Sequence, residues 1–412
     1  MSDFSERLRR LGLQKAASLP AIKPRANRPL VEILGAREVT TIFGEVLIFE
    51  DLYPYGCSHG NVIISFEDIF PEFHKLVKIN TGDSGIMKHL FIDTETTGLS
   101  GGTGTIPFLI GYGYFDQSGF RLGQLILENP INENAQLEEF AKVLQHFENT
   151  ITFNGKSFDL PLIHTRYALN KIPDPLERFS HIDLLHLSRK IWKSRMPDRS
   201  LKELEKHILH YSRSSEEVPG WMIPQIYFDF LKSGDGSQLK NVSYHNAIDV
   251  VSMAALYIKI NMILNDSLTE KSIDISDLFA IGQMYEKISE SEKALNIYKT
   301  CFSSEELVGY ELLNLCKHIA VLYKKEDKWN EAIKYWKISA ELNDMESCIA
   351  LAKFNEHILR NRGEALDWVA RAESILHTSP IPLFKKKRLI SELEVRKQRL
   401  GRSPKNVQKE ES

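Results

Sequence analysis

The sequence predicts an α/β domain with a mixed central sheet flanked by helices. A small β-rich region precedes it, and an all-α domain of helical repeats follows. Three observations predict this order. From about residue 88, three strand-like runs come in succession, and then helical and strand-like stretches alternate, as in a sheet with helices on its faces. Ahead of them, short alternating runs are broken by Gly and Pro. Behind them, from about residue 275, every stretch is helical and one spacing recurs.

Residues 1–30 are basic and proline-punctuated ("LPAIKPRANRP") and read as a flexible arm. Over 31–80, "VTTIFGEVLIFEDLYP" and "GNVIISFEDI" read as β-hairpins packing on the domain that follows, expected over 88–263. The strands there are "KHLFID", "IPFLIGYGYF" and "FRLGQLILEN". The next stretch places Leu137, Phe140, Ala141, Leu144 and Phe147 at helical spacing, with Asn132 or Asn134 able to cap it. "TITFN" is a short strand, "SFDLPLIHTRYAL" a helix, and "HIDLLHLSRKIW" a strand running into a helix. A long helix covers roughly 238–263.

Over 275–376 the helices repeat. Gly282, Tyr285, Ala294, Tyr298 and Cys301 share their spacing with Ala320, Tyr323, Ala332, Trp336 and Ser339. That spacing matches the tetratricopeptide helix-turn-helix repeat, where small residues let paired helices approach and aromatics fill the gap. A third copy keeps Ala365 and Ala372 but has Glu356 in place of the aromatic, as a terminal cap would. Residues 377–412 form a basic tail that includes "KKKR" at 385–388.

Composition sets bounds on this. The chain has 412 residues, is 42% hydrophobic and 26% charged, and carries a formal charge of −3, so any nucleic-acid surface must be local. Four scattered cysteines read as reduced thiols. The N-terminal stretch has charges where a signal peptide needs an apolar core, and no uninterrupted apolar run is long enough to span a bilayer. A cytoplasmic protein without a membrane partner is the expectation.

The chemistry gathers at "LFIDTETTGLSGGTGT". Side chains alternate along a strand, so Asp93 and Glu95 point the same way. Two carboxylates that close repel unless something positive lies between them. The glycines lack the Gly-Lys-Ser/Thr ending of a nucleotide-binding loop. They suit close passage of a strand along backbone instead. A further carboxylate, Asp159, falls in the first turn of a helix after "ITFNGKSF". On the long helix, His245 and Asp249 are four apart and share a face. The helix is apolar there, so a carboxylate on it needs a partner or a metal.

The order D-x-E, N-x-x-x-F-D, H-x-x-x-D resembles the DEDD (DnaQ-like) exonucleases of the ribonuclease-H-like fold. "DTETTGLSGGTGT", "TFNGKSFDLPLI", "DLLHLSRKIW", "VPGWMIPQIYFDFL" and "YHNAIDVVSMAAL" bring it nearest to the YprB-type subgroup. The resemblance covers most of 30–262 and implies a 3′–5′ exonuclease. Asp93, Glu95, Asp159 and Asp249 would hold two Mg²⁺ or Mn²⁺ ions, roughly 3.5–4 Å apart. The family's base is a His five before the last Asp or a Tyr four before it. Here Tyr244 stands at five and His245 at four, and His245 is preferred. By the same resemblance, Thr96 and Leu99 would touch the terminal nucleotide of a single-stranded 3′ end in DNA or RNA, with ordinary turn packing as the other reading; Asn154 either positions the strand or closes the turn.

Near the site, Asp183 reads as a residue that supports the ligands or caps a helix, rather than a ligand. His59 reads as a turn histidine. Arg189, Lys190, Lys193, Arg195 and Arg199 with Trp192 offer a phosphate grip and a stacking ring, or a solvated amphipathic helix. The competing function is a nuclease-like binding or scaffold protein whose repeats recruit a protein partner.

Overall fold

The structure, a computed structural model, describes residues 29–65, 71–77, 85–98, 102–214, 217–267, 273–378, 380 and 382–401. Most of the expected arm, Leu99 and the last residues of the tail lie outside the described residues. The chain divides between Asn265 and Asp266 into two units.

The first unit is built on one seven-stranded sheet of order β1-β2-β7-β6-β5-β8-β9. After a short helix α1 (Leu30–Leu34) come β1 (Arg37–Thr41) and β2 (Gly44–Pro54). This hairpin is the expected β-rich region, and it is hydrogen-bonded into the sheet: β2 pairs antiparallel with β7. A two-stranded hairpin follows, β3 (Ser58–His59) with β4 (Val62–Ile63), and then helix α2 (Pro71–Val77). The meander is β5 (His89–Thr96), β6 (Pro107–Phe115) and β7 (Gly119–Ile126). Helix α3 (Glu133–Leu144) leads to β8 (Asn149–Thr152), α4 (Asp159–Leu169) to β9 (Ser180–Asp183), and then comes α5 (Leu184–Ile191). Strands β8 and β9 run parallel to β5. The short α6 (Leu201–Leu204) widens into a π-helical turn, Glu205–Leu209. Helices α7 (Ile223–Ser233) and α8 (Leu239–Asp266) complete the unit.

Strand alternation decides the two faces. Leu90 and Ile92 pack with Leu137, Phe140, Leu144, Leu160 and Ile163 under α3 and α4. The opposite parity, Phe91, Asp93 and Glu95, faces α8: Phe91 meets Tyr257 edge-on and Asp93 meets Asn246. Glycines on β6 allow that approach. A Cβ on Gly111 would lie 2.0 Å from Asn246 Oδ1, and one on Gly113 would lie 2.8 Å from Val250 Cγ1. Gly111 also sits opposite Asp93 in the ladder. Gly111→Ala is therefore expected to cost about 1–3 kcal/mol, as overpacking does. Urea unfolding would read it; an unchanged midpoint would contradict the close approach.

Helix α8 is by length and composition long and apolar enough to cross a membrane, although charged residues such as Asp249 and Lys259 interrupt its apolar run. Burial accounts for its composition, since 78% of its apolar window lies inside the unit. It is the core helix on which the sheet rests.

The second unit holds α9 (Ile275–Lys287), α10 (Ser291–Ser303), α11 (Gly309–Lys325), α12 (Trp329–Glu341), α13 (Met345–His357), α14 (Arg362–Thr378) and α15 (Leu383–Gly401). The first six pack as three successive pairs. The repeated small and aromatic positions are all buried. A Cβ on Gly282 would meet Tyr298 Cε1 at 2.5 Å, so the glycine is what lets α9 and α10 touch. Glu356, the departure in the third copy, binds Arg399 at 2.6 Å and also Arg396, both on α15. Part of the basic tail is thus a helix with Arg396 and Arg399 spent on that carboxylate.

Candidate active site

The site forms where β5 ends. Asp93 and Glu95 lie on its last turns of pleat, with a register shift after Glu95 that bends the strand away. Asp93 Oδ2 accepts from Asn246 Nδ2 at 2.8 Å. Asn246 in turn accepts from Gln124 Nε2 at 2.9 Å, and Gln124 also receives the Ser243 hydroxyl at 2.5 Å. This buried polar chain spans β7, β5 and α8 and is satisfied along its length.

Asp159 opens α4, and its Oδ1 accepts from the Thr94 hydroxyl at 2.5 Å. Thr94 sits between Asp93 and Glu95 but on the opposite face, so one short strand segment addresses both helices. Asp249 arrives on α8, one turn past His245, and its Oδ1 is held by Arg213 Nη2. His245 Nε2 lies 3.5 Å from Asp249 Oδ2 and 4.0 Å from Glu95 Oε1. Its Nδ1 is buried without a hydrogen bond, 3.7 Å from Glu217 Oε1. Tyr244 turns the other way, its hydroxyl accepting from Ser214 N–H at 3.4 Å.

Electrostatics tie the carboxylates together. Burial, and then the charges of Asp249, Asp159 and Glu95, push the Asp93 carboxyl well above its usual range. Burial, Asp249 and Asp159 do the same to Glu95, with Arg213 opposing. Burial lifts Asp159 to about 6 against the pull of its Thr94 hydrogen bond. All three shifts destabilise the folded chain as pH rises, because the carboxyls must ionise in a crowded, dry place.

The donor set suits a divalent cation in kind. It is carboxylate oxygen from three segments, with Glu95 and Asp159 buried and Asp93 and Asp249 half-buried, and oxygen is what hard ions such as Mg²⁺ or Mn²⁺ take. Among the described residues, no three His, Cys, Asp or Glu side chains stand close enough, as they lie, to share one ion. As they lie, Asp93, Asp159 and Asp249 each accept a hydrogen bond from a different donor, Asn246, Thr94 and Arg213. The residues fit in kind, and ligation requires the carboxylates to draw together.

The RNase_H superfamily profile matches residues 90–261, the stretch from the start of β5 into α8. The YprB protein of Bacillus subtilis (strain 168) is 32% identical over 342 residues, covering 77% of this chain and 80% of that protein. The chain belongs to the YprB family of ribonuclease-H-like proteins. The YprB-family domain therefore has a nuclease-type fold, one that serves nucleic-acid substrates, and nucleases of this superfamily generally use divalent metals.

Other residues singled out in the sequence fall differently. The Thr96 hydroxyl donates to Gly98 O at 2.7 Å and so is engaged in the turn. Asn154 has φ 65° and donates its backbone N–H to Asp183 Oδ1 at 2.8 Å. Asp183 also accepts from Leu185 N–H, capping α5 as expected. Trp192 is fully buried, which removes it as a stacking platform. It continues the apolar stripe of Leu184, Leu187 and Ile191. His59 is a buried partner of Ser252 at 2.8 Å and stacks on Tyr211. The cysteines are free. Sequence reasoning missed Asn246, Gln124, Arg213, Glu205 and Glu217.

Burial pushes the His59 imidazole down to about 4, helped by the Arg213 charge, and burial likewise pushes His89 down to about 4. Their neutral forms stabilise the fold above the ordinary value of 6.5, and that contribution is lost as pH falls from 6.5 toward 4. The carboxylates contribute with the opposite sign in an overlapping window, so single groups must be observed. NMR of the ring protons should show His59 and His89 still neutral at about pH 5.5. A midpoint near that of exposed histidines would contradict their burial.

Proposed function

We propose that the chain is a metal-dependent nuclease that removes nucleotides from the 3′ end of a single strand. One observation carries the reading: the Asp93–Glu95 pair on one strand is joined by Asp159 and Asp249 from two distant helices, near enough that their charges add to burial in raising the pKa values of Asp93 and Glu95. These four would hold two Mg²⁺ or Mn²⁺ ions, which when bound supply water activation and neutralise charge at the phosphodiester. His245 takes the proton of the attacking water at Nε2, the nitrogen turned toward Glu95 and Asp249. The Asn246–Gln124 chain keeps Asp93 from swinging away, and a nucleotide would lie beside Thr96, where the strand bends after Glu95. The hydrolysed bond releases a nucleoside monophosphate and a new 3′ hydroxyl.

In the second unit, the pairing of small and aromatic residues supports tetratricopeptide-type repeats that recruit a partner. A scaffold without catalysis is the competing reading, favoured by the Arg213–Asp249 contact, which supplies a positive charge without a metal. End-labelled DNA and RNA, with free and blocked 3′ ends, incubated with the full chain and Mn²⁺, separate the two. Stepwise shortening only from free 3′ ends supports the nuclease; intact substrates throughout support the scaffold.

A further inference from the structure

Arg213 bonds the candidate ligand Asp249 and has no role in the reading above. Its side chain is 7% exposed, and its guanidinium grips Glu205 with both Nε and Nη2 at 2.6 Å. Nη1 reaches Glu217 at 3.0 Å, and Nη2 also holds Asp249 Oδ1. The π-helical turn just before Arg213 is pinned from outside. Asn61 donates its backbone N–H to Leu209 O at 2.7 Å and its side-chain amide to Ile208 O at 3.2 Å. Tyr211 stacks on His59 with ring centroids 3.8 Å apart. A Cβ on Gly60 would strike Leu209 O, so only glycine lets the β3–β4 hairpin seat there.

A guanidinium that served only buried Glu205 would be complete with its fork on that one carboxylate. Here Nη2 is shared with Asp249, which fixes one oxygen of that residue and leaves Oδ2 facing His245. One positive charge among three carboxylates cannot neutralise them, so the fork anchors Asp249 without cancelling the negative field. We propose that Arg213 is a positioning residue that holds Asp249 in the orientation needed to ligate a divalent cation. This rests on the reading of Asp249 as a ligand given above.

The test is calorimetric titration of the metal-free full chain with MnCl₂, alongside its melting temperature. Glu205→Gln/Arg213→Met removes one charge of each sign, so the local charge is kept while the hold on Asp249 is lost. Mn²⁺ affinity should fall about 10- to 100-fold, the usual cost of removing a residue that orients a ligand. The metal-free melting temperature should stay within a few degrees of wild type. Arg213→Lys keeps a charge beside Asp249 but not the fork, and should recover part of the affinity while remaining weaker than wild type. A double variant that binds Mn²⁺ as tightly as wild type overturns the proposal. If the double variant does not fold, wild-type affinity in Arg213→Lys overturns it. A wild-type chain that binds no Mn²⁺ overturns the nuclease reading as well, which distinguishes the two failures.

Discussion

Asp93→Asn should abolish hydrolysis and stabilise the metal-free protein at once. The carboxylate is half-buried beside Glu95, Asp159 and Asp249, and desolvation, then their charges, push its pKa up. Asparagine keeps the shape and can still accept from Asn246 Nδ2, so the polar chain to Gln124 survives. Removing the charge relieves repulsion that no unfolded chain feels, a gain of about 1–2 kcal/mol at neutral pH. For a domain of this size that is roughly 2–8 °C in melting temperature. Activity should fall about 10³-fold or more, since a ligand oxygen that balances charge at the phosphodiester is lost. Added Mn²⁺ should raise the melting temperature of the wild type and do little for the variant. A variant that is less stable and equally active would contradict both the electrostatics and the role.

The second large effect separates the two candidate bases. His245→Ala should lower kcat by about 10²–10⁴ while leaving Mn²⁺ binding in place. Tyr244→Phe should leave kcat within about threefold, because its hydroxyl accepts from the Ser214 N–H whereas His245 faces Glu95 and Asp249. Single-turnover digestion of a labelled strand reads the chemical step directly. The reverse ranking would move the base to Tyr244.

What the sequence disclosed followed from period and local spacing. The pair Asp93 and Glu95 on one strand face, Asp159 in a first helical turn, and His245 and Asp249 one turn apart are relations within a few residues. The structure places them accordingly. The paired helices of the second unit were legible for the same reason, as a repeated spacing is visible wherever the copies pack. The partners that hold the site were hidden because they are remote. Asn246 lies 153 positions from Asp93, and Arg213 lies 36 from Asp249 in a stretch without periodicity. Two signals were available. Gln124 and Asn246 each interrupt an apolar run, and a buried amide requires a partner. Gly111 and Gly113 sit inside a strand, which marks close approach of another segment. Trp192 was misjudged because the lysines and arginines around it suggested an exposed face, whereas its spacing from Leu184 puts it on the buried one. The joining of β2 to β7 depends on a register that neither strand carries alone.

The most direct measurement is an anomalous-difference map from crystals of the full chain grown or soaked with Mn²⁺. Peaks enclosed by oxygens of Asp93, Glu95, Asp159 and Asp249, with those side chains drawn inward, are the predicted result. A map with no peak there, or with Mn²⁺ held by other residues while the four carboxylates stay apart, would contradict it.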